Sequence, residues 1–296
     1  MDTLVSIKMT GKNPKNYADT VNKLDGIFSA YNENSELYKI NKDKRSDKIS
    51  PDTAEIIRQS ITLSDKYGKA VDITSGALTE LWGVSTDNPK VPADDEIKSA
   101  LSSIDYNKIK VTDTSVILPD NTKLDLGSVA KGYACDVLKQ KFLEDGVSCA
   151  IVSMGSSSLL YGDKPDKSGF TIEIKNPDGG EPLGTITAAD TCLSTSGGYE
   201  RFFESGGKKY IHIFDLSTGY PSESDLTSVT VLCDSGVKSD FLSTIIFTEG
   251  TAGLKKHLES GDYLVIAADK NKKIYCSASL DFTLNENSGY SLGEIS

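Results

Sequence analysis

LDLGSVAKGYACDVL, residues 124–138, sets a carboxylate, Asp125, before Gly127, a small hydroxyl residue, Ser128, and a Lys131-Gly132 pair. An apolar-periodic run follows at once. The spacing predicts a strand ending near Leu126 and a helix beginning after Ser128. That helix runs to about Glu144 and stops at Asp145-Gly146. A helix start exposes unpaired N–H groups and the positive end of the dipole, which suits a phosphate. Lys131 adds a charge in the first turn. Asp125 can hold a ribose hydroxyl, a base edge or a polarised water. The plainer alternative is a helix cap beside a surface lysine.

On the N-terminal side of this stretch, helices dominate. TLVSIKMT (3–10) alternates like a strand. Residues 14–31 are helical, with Tyr17, Val21, Leu24 and Phe28 on one side. Ser35 can cap a short helix, and Pro51 opens an amphipathic helix that runs to Tyr67. VDITSGALTELWG (71–83) holds the only tryptophan, Trp82, in a short apolar turn between Gly76 and Gly83. After the proline-rich loop near Pro89, a helix opens on acidic residues. Short strands around a Pro119-Asp120-Asn121 turn complete this half.

On the C-terminal side, strands dominate. SCAIVSM, SSLLYG, GFTIEIK, GTITAAD, TCLSTS and TSVTVLCD are short, β-branched and punctuated by Gly and Pro. SGVKSDFLSTIIFTEG (235–250) reads as a helix, and more strands end the chain. No repeat and no linker is visible, so one domain, residues 1–296, is expected. Mixed elements without regular βαβ alternation predict an α+β fold: an antiparallel-sheet core flanked by helices.

Composition bounds the function. The net charge of −11 repels nucleic acid and anionic membranes. No apolar run is long enough to span a bilayer, and no signal peptide or lipobox cysteine is read near Met1. Five cysteines, scattered singly, form neither a disulfide framework nor a zinc site; they read as buried thiols.

Two further stretches can carry chemistry. In YIHIFDLSTGYP (210–221), His212 sits in strand-like sequence that breaks at Asp215 into a Ser-Thr-Gly turn. Strict alternation puts Ile211 and Ile213 on one face and His212 on the other. A catalytic role and a structural role stand level on these residues. The other histidine, His257, in LKKHLES, is expected on a solvated helix face. In SDFLST (239–244), Asp240 and Thr244 are four apart on a helix and share a face, with Ser243 beside them. Their oxygens suit Mg²⁺ or Ca²⁺. The alternative is that Thr244 bonds back to the carbonyl of residue 240 and Asp240 is solvated.

In this order the stretches resemble the ApbE family, the FAD:protein FMN transferases. The family's Asp-Leu-Gly-small-x-Ala-Lys-Gly-Tyr is matched by 125–133. Its His-Ile-x-Asp-x-x-Thr-Gly-x-Pro is matched by His212 to Pro221, and its Ala-Asp-x-Leu-Ser-Thr by Ser239 to Thr244. Met1-Asp2-Thr3, Tyr31 to Glu36, Asp72 to Gly83 and STSGGYERFF (194–203) fit further segments. The resemblance spans nearly the whole chain and implies an ApbE-like, T-fold-like architecture. It implies an FAD site between the helical N-terminal half and the strand-rich C-terminal half. Met1, Tyr31, Ala70, Val71, Asp72, Asp125, Lys131 and the backbone near Phe214 would bind FAD. Ser128, through its carbonyl, with Asp240, Ser243 and Thr244 would hold Mg²⁺.

The implied reaction is phosphoryl transfer. A Thr or Ser hydroxyl of a partner protein, in an Asp-Gly-x-Ser/Thr-Gly-Ala-Thr type motif, attacks the FMN-side phosphorus of FAD. AMP leaves, and His212 is the candidate proton acceptor. The family implies a location outside the cytoplasmic membrane and attached to it. Alternatives are an FAD pyrophosphatase at the same site and a non-catalytic FAD-binding protein. The chain departs from the family in two places. Asp2 replaces a glycine, and SMGSSSLLYG (153–162) keeps only Gly155 of a Gly-Gly-Asn or Gly-Gly-Asp turn. DGVSCAIVS (145–153) echoes the acceptor motif, but Ile151 occupies the acceptor position, so it reads as a helix-ending turn entering a strand.

Overall fold

The computed structural model describes residues 3–294. Met1, expected at the flavin, and Asp2 lie outside them. The fold is mixed α and β and carries a large, mostly antiparallel sheet. The chain divides into two compact units. Among the described residues, one comprises Asp19–Ala130 and Glu200–Ser222; the other comprises 3–18, Lys131–Tyr199 and 223–294.

The second unit is built on eight strands. Val5–Met9, Cys149–Met154, Ser157–Gly162, Thr191–Gly197, Leu226–Cys233, Leu264–Asp269, Lys273–Cys276 and Ser291–Leu292 lie side by side in that order. All neighbours are antiparallel except the last pair, which is parallel. The central strand Leu226–Cys233 is buried continuously from Ser228 to Cys233. Both of its faces are therefore covered. On one face Leu193, Leu232 and Ile266 pack against a small sheet of Phe170–Ile174, Gly184–Ala188 and Phe282–Leu284. Side chains alternate along a strand, so Ser194 and Ser196 point the other way. There they meet the helix Gly236–Leu258. That helix is anchored by Phe241, Leu242, Ile245 and Ile246, each fully buried. At about 1.5–3 kcal/mol for each such side chain, apolar contact holds the helix, and its polar residues are free to serve other ends.

The expected helix over 235–250 continues to Leu258, but with a break at Gly250 (φ 69°, ψ −166°). A new helical start forms there, and Asp225 accepts the Thr251 N–H at 2.9 Å. His257, expected in solvent, is only 4% exposed. Its Nδ1 lies 2.6 Å from the Tyr263 hydroxyl and its Nε2 lies 2.8 Å from Glu249 Oε2. Both ring nitrogens are thus partnered, which is what permits an imidazole to be buried.

The first unit is largely helical. It holds the helix Lys15–Phe28 from Asp19 on, with Glu36–Asp43, Pro51–Tyr67, Gly76–Trp82 and Asp94–Leu101; all fall where the sequence predicts helices, and the short apolar turn is a full two-turn helix. The Ser35 hydroxyl caps Tyr38 N–H at 2.9 Å, and Ser50 caps Thr53 N–H at 3.2 Å ahead of Pro51. The strands Lys110–Val111 and Val116–Ile117 do pair, but their turn lies at Thr112–Ser115 rather than Pro119–Asn121. The proline turn instead leads on towards Lys123, with Thr122 N–H bonded to Pro119 O. Trp82, with no exposed surface, centres an aromatic cluster with Phe203, Tyr210, Phe214 and Tyr220, and donates to Gly219 O at 2.9 Å.

Candidate active site

In the first unit two of the family-like motifs meet through the backbone, and the Asn41 side chain ties them to the segment that follows Tyr31. Ser75 and Lys123 form a parallel bridge, and Gly76 N–H donates to Lys123 O at 3.0 Å. A Cβ on Gly76 would press on that carbonyl, so only glycine allows the approach. Asp125 N–H donates to Ile73 O at 2.7 Å. The Asn41 side chain pairs with both polar groups of Leu124, at 2.7 and 2.8 Å. The stretch after Tyr31, the Asp72 turn and the Asp125 turn are thereby locked together.

Within that frame the expected FAD residues differ in kind. Tyr31 is 56% exposed. Ala70 is half-buried and Val71 is buried. Asp72 is buried and spends its carboxylate on the protein. Its Oδ1 accepts Thr74 N–H and hydroxyl at 2.8 and 2.6 Å, and its Oδ2 accepts Tyr106 N–H at 3.1 Å. Its side chain builds the turn, so contact with a ligand there falls to the backbone. Asp125 is half-buried, and its Oδ1 accepts Gly127 N–H at 2.8 Å. Ser128 lies in the turn just before the helix Ala130–Glu144.

His212 stands at a bend after the strand Lys208–Ile211, not in a continuous strand. Ile213 is buried and His212 half-buried. The His212 N–H and Nδ1 both lie 3.1 Å from Arg201 O. A carbonyl only accepts, so Nδ1 carries the proton and Nε2 of the neutral ring keeps its lone pair. Asp215, read as its neighbour in the motif, uses Oδ1 to bind Ser217 N–H and hydroxyl at 2.9 and 2.7 Å. Phe214 turns its ring into the Trp82 cluster.

In the second unit, Lys131 is half-buried in the first turn of the helix Ala130–Glu144. The next residue makes the decisive contact. Gly132 N–H donates to Asp240 Oδ2 at 2.6 Å, and Gly236 N–H donates to Asp136 Oδ1 at 2.6 Å. Each glycine thus binds the aspartate four residues along the other helix, and the two glycines pack backbone to backbone. Asp136 also accepts the Ser235 hydroxyl and Val237 N–H, each at 3.0 Å, with the Cys192 thiol at 3.9 Å. Burial pushes its carboxyl up even against those donors. Asp240 is only 6% exposed, and its other oxygen accepts the Ser157 hydroxyl at 2.6 Å. A carboxylate offers about four lone-pair sites. Asp136 has filled its own; Asp240 has two left, and among the described residues no cationic side chain pairs with it.

Ser243 and Thr244 hydroxyls both bond back to Asp240 O, at 2.9 and 3.3 Å, and both meet Ser196 Oγ, at 2.8 and 3.0 Å. The back-bond expected of Thr244 is present, but Asp240 is buried rather than solvated. Among the described residues no three His, Cys, Asp or Glu side chains gather for a metal. One carboxylate among hydroxyl oxygens is a hard donor set, which fits Mg²⁺ and not zinc. Cysteine chemistry is unfavoured too: all five thiols are free, and burial pushes Cys233 up to about 11 and Cys192 further.

Ser157, Ser196 and Asn41 escaped the sequence reading. The alternation of Ser194 and Ser196 in TCLSTS is the one signal that pointed at a hydroxyl-lined strand face. The departure at SMGSSS is resolved by geometry. Gly155-Ser156 is a two-residue hairpin turn, with Met154 paired to Ser157. Only Gly155 takes positive φ, 62°, so a type II′ turn needs no second glycine.

The family model described as ApbE family matches residues 1–266. The FAD:protein FMN transferase of Treponema pallidum is 29% identical over 267 residues, covering 82% of this chain and 74% of that protein. Its counterpart in Vibrio cholerae is 30% identical over 263 residues, covering 85% and 78%. The ApbE protein of Thermotoga maritima superposes with a TM-score of 0.85 at 28% identity over 94% of both chains.

Proposed function

The chain belongs to the ApbE family and is an enzyme of flavin transfer to protein; on that premise we propose that it moves the FMN moiety of FAD onto a Thr or Ser hydroxyl of a partner protein, releasing AMP, with Mg²⁺ bound. The hydroxyl oxygen attacks the FMN-side phosphorus, the pyrophosphate bond breaks, and AMP departs with the bridging oxygen. His212 takes the hydroxyl proton on Nε2. The observation that carries this step is the Nδ1 contact with Arg201 O, which puts the proton of a neutral ring on Nδ1 and its lone pair on Nε2.

Tyr31 and the turns at 70–72 and 125 serve FAD binding, with the tyrosine ring against the flavin. Lys131 contributes positive charge at its helix start. Asp240, Ser243 and Thr244 hold the cation, and Ser128 offers its carbonyl. When bound, Mg²⁺ offsets charge on the pyrophosphate and the leaving group. The acceptor carries an Asp-Gly-x-Ser/Thr-Gly-Ala-Thr type motif, and the enzyme itself works outside the cytoplasmic membrane and associated with it. Among the described residues no helix is long and apolar enough to cross a membrane. The test is flavin fluorescence that stays on the acceptor through denaturing electrophoresis. A Thr-to-Ala acceptor should stay dark. Free FMN in place of labelled acceptor would assign a pyrophosphatase instead.

A further inference from the structure

We infer that Ser157 is a positioning residue that aims the Asp240 carboxylate at the cation, an inference that rests on the metal reading proposed above. Ser157 opens the strand Ser157–Gly162 and is 1% exposed. Among the described residues its Oγ has a single hydrogen-bond partner, Asp240 Oδ1, at 2.6 Å. An ionised carboxylate only accepts, so the serine proton lies on that bond. Gly132 N–H meanwhile holds Oδ2 from another element, also at 2.6 Å. Two donors on two different oxygens stop rotation about the last side-chain bond. They also decide which lone pairs remain for a ligand. With Gly132 alone, the carboxylate can pivot about Oδ2.

The comparison with Asp136 sharpens the point. Both aspartates receive a glycine N–H from the opposite helix. Asp136 is then saturated by Ser235, Val237 and the Cys192 thiol. Among the described residues, Asp240 receives besides its glycine N–H only the Ser157 hydroxyl. Ser157 therefore orients without closing the site. Loss of a partner that orients a metal-binding side chain typically costs about 10–100-fold in metal affinity.

Ser194 supplies the control. It is the cross-strand partner of Ser157, is 2% exposed, and its hydroxyl goes to Ser239 at 2.8 Å rather than to Asp240. Mn²⁺ affinity, read by the loss of its free-ion EPR signal, should fall about 10-fold or more in Ser157→Ala. It should hold within about twofold in Ser194→Ala. Ser157→Cys keeps the size but offers a weak S–H donor, and should fall between wild type and Ser157→Ala. Crystal structures without metal read the position directly. Asp240 should keep one rotamer in wild type and turn or split in Ser157→Ala. An unmoved carboxylate in Ser157→Ala, or equal affinity losses in the two alanine variants, would overturn the inference. Wild-type protein that binds no Mn²⁺ would overturn the metal reading and with it the inference, and a freed carboxylate in Ser157→Ala would then show only that Ser157 fixes the side chain.

Discussion

Gly132 and Gly236 meet backbone to backbone, and each sends its N–H to the aspartate four residues along the other's helix. Two Gly-x-x-x-Asp segments, GYACD and GVKSD, thus clasp reciprocally. A Cβ on either glycine would overlap the other's carbonyl. Gly132→Ala should therefore cost about 1–3 kcal/mol, the range for overpacking. A shift of the urea midpoint at unchanged slope measures it. Wild-type stability in the variant would mean that the helices are not in contact there.

The clasp gives its two aspartates different fates on substitution. Asp136→Ala strips several donors at the start of the helix Gly236–Leu258 and should act on folding first. Asp240→Ala leaves Gly132 N–H and the Ser157 hydroxyl buried without an acceptor, at about 1–3 kcal/mol. It should also abolish metal-dependent transfer in protein that is still folded. Thermal melts and transfer rates on both variants separate the two. Transfer that survives Asp240→Ala, or that survives EDTA in wild type, contradicts the metal assignment.

His212→Ala should lower transfer by about 10²–10⁴, the usual range for a positioned base. FAD affinity should change far less, since the proton moves only in the chemical step. The melting temperature should fall less than the rate does, because the ring is only half-buried. Equal losses of affinity, stability and rate would make it a scaffold residue.

The sequence showed much of this and hid the rest for definable reasons. The helix Pro51–Tyr67 was legible to the residue, because a proline opens it and its apolar face repeats. The run from Asp125 to Tyr133 was legible because turn and helix signals crowd into nine positions. His257 misled because LKKHLES looks polar alone. Its partners Glu249 and Tyr263 lie eight and six residues away, and Glu249 lies across the break at Gly250. Ser157 gave no local signal at all: its partner is 83 residues distant. His212 broke the strand alternation because the chain bends there.

Glu249, bonded to the buried His257, also sets a pH dependence. Burial pushes the Glu249 carboxyl up, but hydrogen bonds from His257 and Lys256 outweigh it and hold the carboxyl below its ordinary value of 4.5. A carboxyl lowered by folding adds stability that is complete above the unfolded value. That stability is lost as pH falls through the folded value. Melting temperature should therefore drop more steeply below about pH 4.5 in wild type than in Glu249→Gln. Parallel curves would show that the pair contributes nothing to acid stability.

Tyr31→Ala should weaken FAD binding by about 1–3 kcal/mol if the flavin covers the exposed ring. Quenching of flavin fluorescence on titration reads the affinity. Unchanged affinity removes Tyr31 from the site.

The central claim is transfer, and intact mass of the acceptor tests it most directly. The protein is incubated with FAD, Mg²⁺ and an acceptor domain that carries the threonine motif, and AMP is quantified in the same sample. The account predicts one added FMN per acceptor and one AMP released for each, with both absent in chelator. AMP released with an unmodified acceptor and free FMN, or an added FMN that persists in chelator, would contradict it.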